Sequence, residues 1–335
     1  MTSTPIVPAE WAHHRAMWLG FPSHAELWRE DLEPAQDEVA ALARALAGPG
    51  AERVRLMVAG DEAEAAARAR LDGVANVEIV RALFGDIWMR DTGPIFREDG
   101  KAASFRFNGW GGKYEMEGDD LVAAQIAAAS GAPLLSNDFV LEGGAIDHDG
   151  YGTLVTTRQC LLNPNRNPGW TEEAAEAALA ASMGVRKVLW LGDGLRNDHT
   201  DGHVDNLARF VAPGVVACPI AWGKNDPNAE LYDETARLLG QMTDARGGAI
   251  QVMRIPSPGW IDGDSSVQPA PASHMNFIIA NEAVIVPLYE DEKAGAFAVD
   301  AVQSLFPERK AIGLSSNAVL TGGGSFHCIT QQEPA

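Results

Sequence analysis

The chain has few cysteines, few basic residues and no long apolar run. Cys160, Cys218 and Cys328 are its three cysteines in 335 residues. They are odd in number, widely spaced and form no Cys-x-x-Cys pair, which argues against a zinc ribbon or a thioredoxin-like redox motif. A chain of this length builds a core without disulfides. The expectation is a reduced, cytoplasmic protein. Lys and Arg number 26 against 46 Asp and Glu, a formal net charge of −20. Nucleic acid and anionic membrane surfaces need clustered basic residues, so neither is expected as a partner. No stretch reaches the ~18 apolar residues of a membrane-spanning helix. The segment Met1–Phe21 carries Glu10, His13, His14 and Arg15 where a signal peptide needs an apolar run. No GxGxxG or Walker sequence occurs, which leaves dinucleotide and ATP chemistry without support.

What remains is an ordinary globular composition, 46% hydrophobic and 21% charged. Length alone suggests about two domains. No Pro/Ser-rich linker divides the chain, and one compact domain over residues 1–335 is the preferred reading. Helical periodicity runs from about Glu33 to Ala47, with Val39, Leu42, Ala43 and Leu46 on one face and Gly48-Pro49-Gly50 as the stop. Thr171 is placed to cap a helix ending at Met183, with Gly184 just beyond. Ala229–Thr243 and Glu292–Leu305 are further helices. Strands are expected over Val54–Ala59, Val77–Arg81, Ala103–Phe107, Leu154–Leu162, Lys187–Leu191, Val215–Ile220 and Ile250–Ile255. Phe277–Ile279 and Ala283–Pro287 follow. Helices alternating with strands make the class α/β.

Short polar, glycine-containing clusters recur roughly every 50–70 residues, a period that suits a propeller-like repeat. They are Arg90-Asp91-Thr92-Gly93-Pro94, Glu142-Gly143-Gly144, Gly202-His203-Val204-Asp205-Asn206, the stretch around Asn276, and Gly322 to Cys328. Cys160 and Cys218 sit in apolar runs and read as small buried hydrophobes. Cys328 follows three glycines and has polar neighbours, the setting a thiolate nucleophile needs. A tight turn before a buried strand is the competing reading. His203 and Asp205, if extended, point to one face. They suit acid–base work, half of a metal site, or a hydrogen-bonded core pair. No His-x-His, HExxH or cysteine cluster completes a ligand set. Gly202 opposes a helix that would join His199 to His203. Asp91, at an expected strand-to-loop boundary, and Glu142, at an expected strand end, are carboxylates that bind a cation or merely close a turn. Two carboxylates grip a planar guanidinium by forked hydrogen bonds.

In this order the clusters resemble the agmatine deiminase (agmatine iminohydrolase) family, of the peptidylarginine-deiminase type among guanidino-group-modifying enzymes. The likeness also covers Pro8-Ala9-Glu10-Trp11, Trp18 to Pro22, Trp88 to Pro94, Phe107 to Gly112, Cys160 to Pro168 and His327 to Gln332. It implies a pentein α/β propeller, five ββαβ-like units around a pseudo-fivefold axis. It implies hydrolysis of a small cationic guanidine without metal or other cofactor, and it is compatible with a homo-oligomer. By the same resemblance Cys328 is the nucleophile and His203 the general acid and base. Asp91 and Asp205 hold the guanidinium, and Glu142 orients His203 or touches the substrate. Trp88 and Gly323 line the slot. Three places depart from the family pattern: His199-Thr200-Asp201 where an acidic residue usually precedes the threonine, His274-Met275 where an aromatic is usual, and Ser325-Phe326 in place of Asn-Ile. A deiminase of arginine or another small guanidine, related hydrolase or amidinotransferase chemistry, a metallohydrolase on His203 and Asp205, and a non-catalytic guanidine binder are the alternatives.

Overall fold

Helix periodicity translates directly into packing. In the computed structural model, which describes residues 6–263 and 267–335, the first long helix is Leu32–Ala47. Val39, Leu42, Ala43 and Leu46 are fully buried on its inner face. Met1–Pro5 of the N-terminal segment lie outside the described residues. Among those described, no helix is long and apolar enough to cross a membrane.

The expected caps at Thr171 and Gly184 form. Thr171 Oγ1 accepts from the Ala174 amide at 3.3 Å, and Gly184 closes Glu172–Met183 in the left-handed conformation. Asp291 caps Glu292–Leu305 through the amides of Lys293 and Ala294. A Thr171→Ala variant is expected to lose about 1 kcal/mol of unfolding free energy, read from urea denaturation. The helix from Ala229 stops at Leu239 rather than reaching Thr243. Gly240 ends it, and Thr243 turns away to pair with Ala249.

Sixteen strands among the described residues form five small sheets. Four repeat one pattern. In the first, Ile95–Phe96 pairs antiparallel with Ala102–Arg106, which pairs parallel with Leu134–Val140 after the helix Val122–Ser130. The sheets of Ile146–His148, Arg209–Ala212 and Ile278–Ile279 follow suit, each with its helix before the parallel third strand. The parallel step requires such a crossover. The fifth sheet joins the chain ends: Thr330–Pro334 pairs antiparallel with His14–Gly20, which continues in parallel to Val54–Val58 and Val77–Arg81. Five such units are the pentein α/β propeller.

Two local expectations give way. The strand expected over Leu154–Leu162 spans only Thr153–Thr157. Thr157 Oγ1 then accepts from the Cys160 amide and caps a helical turn, Arg158–Leu161. The segment His203–Asp205 is not extended. Val204–Asn206 is a 3-10 turn with His203 at its start.

Candidate active site

One connection recurs five times: the segment that leaves the last strand of a unit and enters the first strand of the next. Asp91 lies four residues before Ile95, in the helical turn Met89–Thr92 rather than at a strand-to-loop boundary. Glu142 and Gly144 precede Ile146, His203 and Asp205 precede Arg209, Asn276 precedes Ile278, and Cys328 precedes Thr330. Each polar cluster of the sequence therefore occupies an equivalent place in its unit. Closing the ring brings the five together.

Cys328 is 7% exposed and lines a cavity of about 480 Å³. Its Sγ accepts from Asn276 Nδ2 at 3.2 Å and donates to Asp205 Oδ2 at 3.6 Å. Asn276 Oδ1 accepts from the amides of His327 and Cys328 at 2.8 and 3.3 Å, fixing the turn that carries the thiol. Burial, reinforced by the Asp205 and Asp91 carboxylates, pushes the Cys328 thiol well above its ordinary value. Without a bound cation the thiol is protonated at neutral pH.

The carboxylates are held differently. Asp205 is fully buried, and burial alone would raise its pKa; its hydrogen bond to His327 Nδ1 at 2.9 Å outweighs that and keeps it below the usual range. The other His327 nitrogen meets Glu10 Oε2 at 3.0 Å, and Glu10 is bound in turn by Arg209. This chain from Arg209 to Asp205 fixes one wall of the site. Asp91 Oδ2 accepts from Trp110 Nε1, and its Oδ1 from the Gly144 amide, both at 2.9 Å. Burial and the nearby Asp205 and Glu142 push Asp91 up, partly countered by His203.

His203 and Asp205 point to different partners. His203 Nδ1 lies 3.7 Å from Asp91 Oδ1. Burial would lower its pKa, but Asp91, the Cys160 thiol and Glu142 hold it well above the ordinary value. The imidazole is charged at neutral pH. Gly144 explains how the groups come so close. A Cβ there would stand 2.5 Å from His203 Nδ1, 2.9 Å from Asp91 Oδ1 and 3.2 Å from Asp205 Oδ2. Only a residue without a side chain fits that point.

Glu142 is buried and absent from the cavity wall. Its Oε1 accepts from Arg166 Nε at 2.7 Å. Arg166 also binds Asp201 and the Thr200 carbonyl, tying Glu142 to the His203 loop. Glu142 is thus a neighbour of His203, with no direct face toward a ligand in the cavity. Trp88 does line the cavity, with Trp28, Trp110 and Tyr114. The Trp28 and Trp88 indoles donate to the two oxygens of Asp86 at 3.0 and 2.7 Å. Burial raises Asp86 to about 6, despite hydrogen bonds that pull it down. The three glycines before Cys328 serve these rings. A Cβ on Gly322 or Gly324 would stand 2.9 or 2.6 Å from Trp88, and Gly323 faces His199 at a φ of +101°.

Reading the sequence alone missed several of these partners. Glu10, Trp28, Asp86, Trp110 and Cys160 were not singled out for chemistry, and Asn276 marked only a stretch. Their roles depend on contacts across the ring. Of the three departures from the family pattern, only the first reaches the cavity, through His199 and Thr200. His274 is buried against the Pro287 carbonyl, and burial lowers it to about 4. Ser325 bonds Ser316, and Phe326 is fully buried.

The chain resembles known proteins along its whole length. The family profile of Porphyromonas-type peptidyl-arginine deiminases matches residues 6–334. An agmatine deiminase from Ectopseudomonas mendocina is 38% identical over 368 residues, covering 100% of this chain and 98% of its own. The solved agmatine deiminase of Enterococcus faecalis superposes with a TM-score of 0.91 at 34% identity, covering 98% of this chain and 96% of that one. An agmatine deiminase from C. jejuni, solved with substrate bound, gives a TM-score of 0.88 at 27% identity, covering 99% and 96%.

Proposed function

The chain belongs to the Porphyromonas-type peptidyl-arginine deiminase family, and from that premise we propose that it hydrolyses agmatine to N-carbamoylputrescine and ammonia, the whole chain acting as one catalytic unit. The observation that carries this reading is the thiol of Cys328 beside two carboxylates, Asp91 on the same cavity wall and Asp205 buried behind the thiol at 3.6 Å. That cavity holds negative charge in search of a planar cation.

A guanidinium has a pKa of about 12.5–13.8 and arrives charged. Asp91 and Asp205 grip it, and Trp88 forms a flat wall beside it. Its charge offsets the carboxylates that keep the Cys328 thiol protonated, so the thiol loses its proton to solvent as the substrate binds. The thiolate attacks the central carbon and forms a C–S bond. The adduct is tetrahedral and has two amino groups. His203, charged beforehand, protonates one of them, and ammonia leaves with the C–N bond. A covalent S-alkylthiouronium remains. Neutral His203 then takes a proton from water, and the hydroxide adds to the same carbon. Collapse of this second adduct breaks the C–S bond and returns the Cys328 thiolate, while its hydroxyl proton passes to solvent and the neutral ureido product leaves. Glu142 acts here by positioning His203.

The four-carbon tail runs along the cavity toward its mouth, where Glu30 and Asp31 supply carboxylates for the distal ammonium. Arg29 and His199 line the same cavity. They favour a second reading, a small guanidine whose tail carries a carboxylate, such as arginine. Side-by-side kinetics decide: ammonia release with a higher kcat/KM for agmatine than for arginine is the expected result. Turnover of arginine alone replaces the substrate assignment.

A further inference from the structure

Behind the slot lies a group of side chains that the reaction as proposed does not need in full. The Cys160 thiol, one imidazole nitrogen of His203 and one carboxylate oxygen of Glu142 all lie within 4.8 Å of one another, and all three residues are buried. His203 Nδ1 faces Asp91, while Nε2 is buried and has no hydrogen-bond partner. An unpaired buried polar atom is rare in native proteins.

We propose that Glu142, Cys160 and His203 bind a thiophilic divalent cation, zinc above all, and that its occupancy arrests turnover by taking the His203 imidazole out of acid–base service. The arrest rests on the deiminase reading; the binding does not. Thiolate, imidazole and carboxylate are the donor types zinc takes, and three protein ligands with an open fourth position is a common zinc arrangement. Magnesium and calcium prefer six or more oxygens and fit this set poorly. Zinc bonds of about 2.0–2.3 Å draw such donors to roughly 3.5 Å apart. The group therefore contracts by about 1 Å, within reach of side-chain rotation.

The surroundings are built for it. The cap of Thr157 on the Cys160 amide turns the thiol away from the strand direction and toward His203. Arg166 engages Oε1 of Glu142 and leaves the other oxygen free to ligate. The Arg166 charge is shared with Asp201. Asp91 separates the group from the open cavity: it lines that cavity, and its Oδ1 lies 3.7 Å from the imidazole. Binding releases the thiol proton and the imidazolium proton to solvent, with no change of oxidation state.

Equilibrium dialysis of the metal-stripped protein against zinc chloride tests the site, with zinc counted by atomic absorption. One zinc per chain is expected, removed by EDTA, with loss of ammonia release on loading and its return on chelation. Cys328→Ser is expected to keep the zinc. Cys160→Ser and Cys160→Ala, checked for folding by circular dichroism, are expected to weaken it about 100-fold. Should neither Cys160 variant fold, cobalt decides. In a Cys218→Ser/Cys328→Ser protein only Cys160 remains, and a thiolate-to-cobalt charge-transfer band is expected there. No zinc bound at tens of micromolar, undiminished zinc in the Cys160 variants, or no cobalt band in the double variant overturns the proposal. An absence of turnover with any guanidine removes the deiminase reading and leaves the zinc count to stand or fall separately.

Discussion

Cys328→Ala is expected to lower kcat for ammonia release by about 10⁴-fold or more, the scale seen when a covalent nucleophile is removed, while the protein keeps its fold and still binds agmatine. The turn that carries Cys328 is fixed by backbone donors to Asn276 Oδ1, not by the thiol, so its loss leaves the turn in place. Binding survives for a related reason. Asp91 and Asp205 supply the charge, and removing a neutral thiol takes none of it away. Cys328→Ser is expected to fail almost as completely. The bound cation lowers the ionisation cost of a thiol enough to matter, but a hydroxyl starts far too high for the same help to produce an alkoxide. Steady-state ammonia release and calorimetric agmatine binding measure the two halves separately. A rate near that of the unmodified protein in Cys328→Ala removes Cys328 as the nucleophile.

Some of this architecture is legible in the sequence because local physics decides it. Glu292–Leu305 is expected to end before Phe306-Pro307, and the structure has those bounds, with Asp291 as the cap. Four of the five polar clusters stand out because a glycine lies beside the functional side chain; the stretch around Asn276 has none. The rest depends on partners far along the chain. Thr330–Pro334 is a polar run with no strand-like alternation. It forms a strand because His14–Gly20 offers it an edge, and because Glu333 accepts from Arg15, Trp18 and Ser130. Glu10 and His327 meet 317 residues apart, and neither hints at the other. Cys160 read as core because its neighbours are apolar. The one local signal was Thr157 three residues earlier, a capping position that converts the end of a strand into a helical turn.

Asp91→Asn separates charge from shape at the centre of the site. The side chain keeps its outline, but an amide offers one acceptor where the carboxylate offers two. Either the Gly144 amide or the Trp110 indole then loses its partner. The guanidinium also loses one of the two charges that hold it. Losing one member of a buried charge pair costs about 2–5 kcal/mol, so kcat/KM is expected to fall by about 30- to 5,000-fold. The pH profile carries the more specific information. Burial works to lower the His203 pKa, and Asp91 is the foremost neighbour holding it up. With that charge gone the imidazolium is disfavoured, its pKa falls, and the protonated form needed to release ammonia is lost at lower pH. The same carboxylate helps burial and Asp205 keep the Cys328 thiol high. Its removal lets the thiolate form at lower pH as well. Both limbs of the kcat/KM profile therefore move toward acid in Asp91→Asn. A residue that only supports the fold lowers the rate and leaves the limbs where they were. A profile that stays in place, or moves toward base, rules out Asp91 as the charge that sets the protonation of both His203 and Cys328.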